Sequence, residues 1–161
     1  EIVRKNTRRI AELILDSFRL MLRKSSLIVD LEIDPETYQI VLTGQDGHLL
    51  SPERLSAGER QLLAVSILWG LARTSGRPLP VVVDTPLGRL DAVHRDNIVS
   101  QYFPRASHQV LLLSTDKEID ERYYEMLAPF ISRSYVLDFD EKKRSTIIRE
   151  GYFDKVCHST A

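Results

Sequence analysis

Only one cysteine, Cys157, occurs among the 161 residues. An internal disulfide and a Cys-x-x-Cys site are both excluded, a usage that suits a reducing compartment. No His-Glu-x-x-His and no Cys/His cluster is present, which argues against zinc chemistry. No serine sits in a Gly-x-Ser-x-Gly elbow, so a serine nucleophile has no support. The seven glycines are scattered and none forms the Gly-x-x-x-x-Gly-Lys-[Ser/Thr] loop that cradles phosphates. Apolar runs fall far short of the roughly 20 residues that span a bilayer, so no membrane role is expected. The start, EIVRKNTRRI, has no apolar core of a secretory signal and no Met. A cytoplasmic fragment or processed piece is expected. Charge is also nearly balanced, at −1, so no global basic field advertises nucleic acid.

What is there is an ordinary globular mixture, 43% hydrophobic and 28% charged, long enough for one core. Ile10, Leu13, Ile14, Phe18, Met21 and Leu22 recur at helical spacing and predict a helix over 1–24. Arg4, Lys5, Arg8 and Arg9 crowd its start. They read either as a solvated face or as a patch that contacts DNA. Leu27, Val29, Leu31 and Ile33 alternate with Ile28, Asp30 and Glu32 as a half-buried strand. Asp34-Pro35-Glu36 is a turn, Tyr38 to Thr43 the returning strand, and Gly44-Gln45-Asp46-Gly47 its end.

An α/β rhythm follows. A helix is expected over 56–74, closed by Gly76 and Pro78. Leu79 to Val83 and Gln109 to Leu113 are short apolar runs that suit strands covered on both faces of a parallel sheet. Helices are expected over 92–103, stopped by Pro104, and over 117–128, burying Ile119, Tyr123, Met126 and Leu127. A terminal β-hairpin pairs Ser134–Phe139 with Ser145–Arg149 around a charged turn.

Three strand or helix ends carry polar residues. Ser56-Ala57-Gly58-Glu59 reads as a capping box at a helix start. Gly58 is odd there, since Gly in a helix costs up to about 1 kcal/mol relative to Ala. Arg60 also occupies the place of a hydrophobic staple. A glycine fits if a group must approach the backbone closely, and a helix N-terminus favours a phosphate. Asp84 closes Val81-Val82-Val83, at the strand edge where open α/β sheets bind ligands. Its carboxylate reads either as a turn aspartate or as a Mg²⁺ ligand acting through water. Leu111-Leu112-Leu113-Ser114-Thr115-Asp116 repeats the pattern.

Taken in order, these residues resemble the C-terminal half of an ABC-type ATPase head of the SMC-like branch. Leu55-Ser56-Ala57-Gly58-Glu59-Arg60-Gln61 resembles the signature motif, Val81-Val82-Val83-Asp84 the Walker B strand, and Leu90-Asp91 the D-loop. Ser114-Thr115-Asp116 falls at the switch position. "LSAGERQLLAVSILWGLARTSGRPLP", "DTPLGRLD" and "HQVLLLSTDKEI" are similar to the DndD family, SMC-like ATPases of DNA phosphorothioate (sulfur) modification.

The resemblance implies an α/β fold. It would be the C-terminal lobe of a P-loop NTPase head, mainly a parallel sheet with flanking helices. Residues 1–24 would be the end of a returning coiled-coil helix, and 25–161 the lobe, finished by the hairpin. It implies ATP and Mg²⁺ as cofactors. Ser56 and Gly58, with Leu55, Ala57 and Glu59 around them, would contact the γ-phosphate held by a second head. Asp84 would position Mg²⁺ through water, and Asp91 would couple the two sites. Implied partners are the chain's own N-terminal Walker A lobe, a second copy across ATP, DNA, and other DNA sulfur-modification proteins.

The sequence departs from that pattern twice more. Thr85 stands where a water-activating Glu is usual, and Thr115 where a His reads the γ-phosphate. A threonine hydroxyl is no general base near neutral pH, though it can position water. Asp116 offers a carboxylate by another route. His94 and His108 read as surface or capping histidines. The chain alone is expected to be inactive. Three functions stay open: an ATP-driven motor on DNA, an ATP-gated clamp with little hydrolysis, and a related SMC-like repair or defence ATPase unrelated to sulfur.

Overall fold

A computed structural model describes residues 1–22, 27–77 and 79–153. Arg23 and Lys24 at the end of the expected first helix, the 24/25 boundary, Pro78 and Cys157 lie outside the described residues.

The first helix, α1 (Ile2–Met21), begins exposed and becomes buried. Ala11, Ile14, Leu15, Phe18 and Met21 face the interior along one stripe. It ends at Met21, because Leu22 turns to an extended conformation while its N–H still reaches Phe18 O at 3.0 Å. Strands β1 (Ile28–Ile33) and β2 (Ile40–Gly44) pair antiparallel, with Leu31 opposite Leu42. The alternation expected for β1 fails at its start. A register irregularity between Ile28 and Asp30 buries Ile28 and turns Val29 outward, as an extra residue in a period-two strand must.

Asp34 Oδ1 accepts the N–H groups of Glu36 and Thr37, at 2.8 and 2.7 Å, and fixes the turn. Tyr38 is left-handed at φ 57°, so β2 starts at Ile40 rather than Tyr38. A two-residue strand, β3 (Leu49–Leu50), returns beside β2 and was too short for its periodicity to show.

Helix α2 (Ala57–Ser75) runs from a complete capping box at Ser56 to a left-handed Gly76, φ 62°. It packs along α1 at very short range. A Cβ on Gly70 would stand 2.5 Å from Ile14 Cγ1, and 3.1 and 3.2 Å from the Ile14 backbone N and Cα. Only a glycine lets the two backbones come this close.

Strands β4 (Val81–Asp84) and β5 (Val110–Leu113) pair parallel, with Asp84 opposite Leu113. Among the described residues this pair is the parallel part; the other ladders are antiparallel. The expectation that both faces are covered holds for one face only. Val82 is 60% exposed and Leu111 53%.

Between these strands, α3 (Ala92–Asn97) gives way to wide π-type turns over Ile98–Tyr102 and a 3-10 turn at Phe103–Arg105. Pro104 has no N–H and crowds the carbonyl four residues back, so a regular helix to 103 cannot close. Ile98, Val99, Tyr102 and Phe103 are buried there regardless. Helix α4 (Glu121–Leu127) starts later than expected because Asp120 caps it, accepting Tyr123 N–H at 2.9 Å. Ile119 is buried just before it. Arg122 donates to Asp96 at 2.9 Å, tying α4 to α3 and holding that carboxyl below its usual range.

The terminal hairpin, β6 (Tyr135–Asp140) and β7 (Ser145–Glu150), forms as expected. Tyr135, Leu137, Phe139 and Ile148 lie on one face by register and are exposed. No helix of the described residues is long and apolar enough to cross a membrane.

The Gly70 contact yields a stability prediction. G70A should destabilise the protein by about 1–3 kcal/mol through overpacking, although alanine is the better helix former by up to about 1 kcal/mol. Urea unfolding measures it; an unchanged midpoint would show that α1 and α2 separate at no cost.

Candidate functional site

The start of α2 is built by its own sequence. Ser56 N–H donates to Glu59 Oε2 at 2.7 Å, and Glu59 N–H to Ser56 Oγ at 3.2 Å. Helix geometry leaves the N–H groups of the first two positions, Ala57 and Gly58, directed out of the helix end. Leu55 is buried under this turn. Arg60 replaces the missing staple in another way: its Nη1 donates to Leu55 O at 2.5 Å.

Gly58 faces the loop that follows β4. An added Cβ would meet Arg89 O at 3.4 Å, Leu90 Cδ2 at 3.6 Å and His94 Nδ1 at 3.9 Å. These are ordinary contact distances. The fold itself therefore does not require glycine here.

Asp84 is exposed at the end of β4. Thr85 N–H continues the ladder to Leu113 O at 3.0 Å, and Thr85 Oγ1 donates to Asp84 Oδ1 at 3.2 Å. Thr85 has φ 52° and Arg89 has φ 62°. A β-branched residue in the left-handed region is a strained conformation, and such strain gathers at functional sites. The loop is anchored by its buried members Pro86, Leu87 and Leu90.

Asp91 caps α3. Its Oδ1 accepts His94 N–H at 2.9 Å, and its Oδ2 lies 3.2 Å from His94 Nδ1. His94 is buried, not a surface histidine, and its capping contact is with Asp91. Both carboxylate oxygens of Asp91 are thus held by one residue, and the side chain remains about half exposed.

At the end of β5, Thr115 O accepts three donors. Glu118 N–H and Ile119 N–H reach it at 3.0 Å, and the Tyr152 hydroxyl at 2.9 Å. The Tyr152 oxygen also lies 2.6 Å from Ser114 Oγ, and its ring stacks on Tyr124 with centroids 5.2 Å apart. Burial is the main cause that pushes the Tyr152 hydroxyl above its usual pKa.

A cleft of about 520 Å³ joins two of these ends, lined by Ala57, Arg60, Gln61, Thr85, Gly88 and Arg89. The structure thus brings the start of α2 and the loop after β4 together. Thr115 does not line the cleft. Nor do Arg4, Lys5, Arg8 and Arg9, which are exposed on the first half of α1. Arg8 there pairs with Glu12 at 3.2 Å. Asp84 and Thr85 supply hard oxygen donors of the kind Mg²⁺ takes alongside water. Among the described residues, no three His, Cys, Asp or Glu side chains gather as a fuller metal site.

Glu118 and Tyr152 carry no signal in the sequence. Nothing local could have flagged them, because their partners lie 31 and 37 or 38 residues away.

No protein-family model and no curated protein sequence matches the chain. Solved structures do. One comes from work on ATP-driven dimerization and DNA-stimulated activation of SMC ATPases. It aligns over 92% of this chain and 87% of its own, with TM-score 0.65 and 10% identity. Another is an SMC head domain from Thermotoga maritima, aligned over 94% of this chain with TM-score 0.59 and 16% identity. The chain spans half the length of that head. The fold is therefore the α/β fold of part of an SMC ATPase head, with small sheets and flanking helices.

The space beside Gly58 gives a direct test. G58A should keep or raise stability, by up to about 1 kcal/mol, in urea unfolding. A loss of stability would place the reason for the glycine inside the chain.

Proposed function

We propose that this chain is the C-terminal lobe of an SMC-like ATPase head, and that the head works by ATP-dependent dimerisation on DNA. One observation carries the proposal. On an SMC-head fold, the start of α2 and the strained loop after β4 open on the same cleft.

In this reading ATP supplies a γ-phosphate that a second head presents. Ser56, Ala57 and Gly58 meet it with the N–H groups and positive end of α2, while Leu55 and Glu59 hold that end in shape. Asp84 orients the hydration shell of Mg²⁺. The Thr85 hydroxyl, donating to Asp84, keeps lone pairs free to accept from a water. Thr115 stands at the switch position, and Asp91, fixed by His94, faces the second head. The phosphate-cradling lysine comes from a Walker A lobe. The exposed apolar face of β4 and β5 is the surface such a lobe would cover.

The wording of the signature and Walker B segments supports the narrower reading, a DndD-like role in DNA phosphorothioate modification with other sulfur-modification proteins. The basic start of α1 is the proposed DNA contact, as α1 is the proposed end of a coiled coil. A clamp with little hydrolysis is the second reading. Thr85, in place of a carboxylate, favours it.

Turnover separates the two. With the Walker A lobe present, ATP hydrolysis should exceed that of D84A and respond to DNA. Turnover no faster than D84A leaves the clamp. S56R should abolish ATP-dependent dimerisation, followed by sedimentation, while ATP binding persists. Normal dimerisation of S56R would show that the start of α2 does not face the second head.

A further inference from the structure

We propose that Glu118 is a positioning residue: its carboxylate latches the loop after β4 to the loop after β5. Glu118 Oε1 accepts Leu87 N–H at 2.5 Å, across 31 residues of sequence. Leu87 is fully buried, so its N–H has no water to turn to. A carboxylate is the stronger acceptor for such a donor.

The latch holds a loop with reason to relax. Leu87 lies between Thr85 and Arg89, both left-handed. Strained residues persist only where their surroundings over-determine them. Gly88 completes the packing. A Cβ there would lie 3.1 Å from Thr85 Cγ2 and 3.8 Å from Glu118 Oε1, so loop and carboxylate are in close contact.

Glu118 is itself held. Its N–H and that of Ile119 both donate to Thr115 O, which also receives the Tyr152 hydroxyl. Ile119 is buried and Asp120 caps α4 immediately after. The chain of contacts runs from Tyr152 through Thr115 and Glu118 to Leu87, and so to Thr85. Glu118 is half-buried, and it acts through the backbone of Leu87.

The effect on turnover rests on the ATPase reading above; the hydrogen bond does not. The test uses the intact ATPase and two variants. E118A removes the acceptor, whereas E118Q keeps an amide oxygen in its place. Amide exchange at Leu87, referred to Leu63 in the same sample, reports the latch without nucleotide and separates it from global unfolding. E118A should speed Leu87 exchange relative to Leu63 by about tenfold or more, the scale of a lost charged hydrogen bond. It should lower kcat by about tenfold with KM for ATP changed little. E118Q should recover most of both losses.

Unchanged Leu87 exchange in E118A would overturn the latch. An E118Q that restores exchange but not kcat would overturn the positioning role, because the carboxylate would then act on the reacting atoms. Should the wild type itself turn over no faster than D84A, the ATPase reading falls. The Leu87 exchange still decides the latch.

Discussion

The parallel register of β4 on β5, with Asp84 opposite Leu113, is the constraint on which the site depends. Parallel strands point the same way, so their ends emerge side by side at one edge. Thr85 N–H carries the ladder one step further, to Leu113 O. Asp84, Thr85, Ser114 and Thr115 are neighbours for that reason alone. A slip of one residue would turn Asp84 to the opposite face and part the loop after β4 from Glu118.

Around that edge, polar atoms hold what packing cannot. Asp91 is gripped by His94, Leu87 by Glu118, and Thr115 by Tyr152. The far side of the strands is different. Val82, Leu111 and Leu113 leave an apolar face open beside Leu68 of α2. The hairpin of β6 and β7 is similar, with Leu137, Phe139 and Ile148 in the open. Two strands alone are marginal in water. These are open apolar faces, and the chain spans half the length of the Thermotoga maritima SMC head it is similar to in fold.

Much of this was legible in the sequence because it is local. Ser56 and Glu59 announce the capping box, Gly76 the end of α2, and VVVD with VLLL the two parallel strands. The hairpin of β6 and β7 follows from its charged turn. Departures have local physical causes: the irregularity at Ile28–Asp30, the left-handed Tyr38, the π-type turns before Pro104 and the cap at Asp120. The candidate site was half legible. Polar residues at strand ends could be read, whereas Glu118 and Tyr152 matter only through distant partners. The glycine at 58 changed its meaning. Its Cβ has room, so packing within the described residues does not account for it.

The proposed reason, a phosphate presented by a second head, can be tested by photolabelling. An ATP analogue with a photoreactive group on its γ-phosphate would be loaded on assembled heads, in a mixture of isotopically light and heavy copies. In the proposed dimer a Walker A lobe of one isotope would hold the nucleotide. The account predicts label on the Arg54–Arg60 segment of the other copy, and only when the heads dimerise. Label on that segment within the same copy, or none on it in the dimer, would contradict the claim that the start of α2 faces a phosphate across the interface.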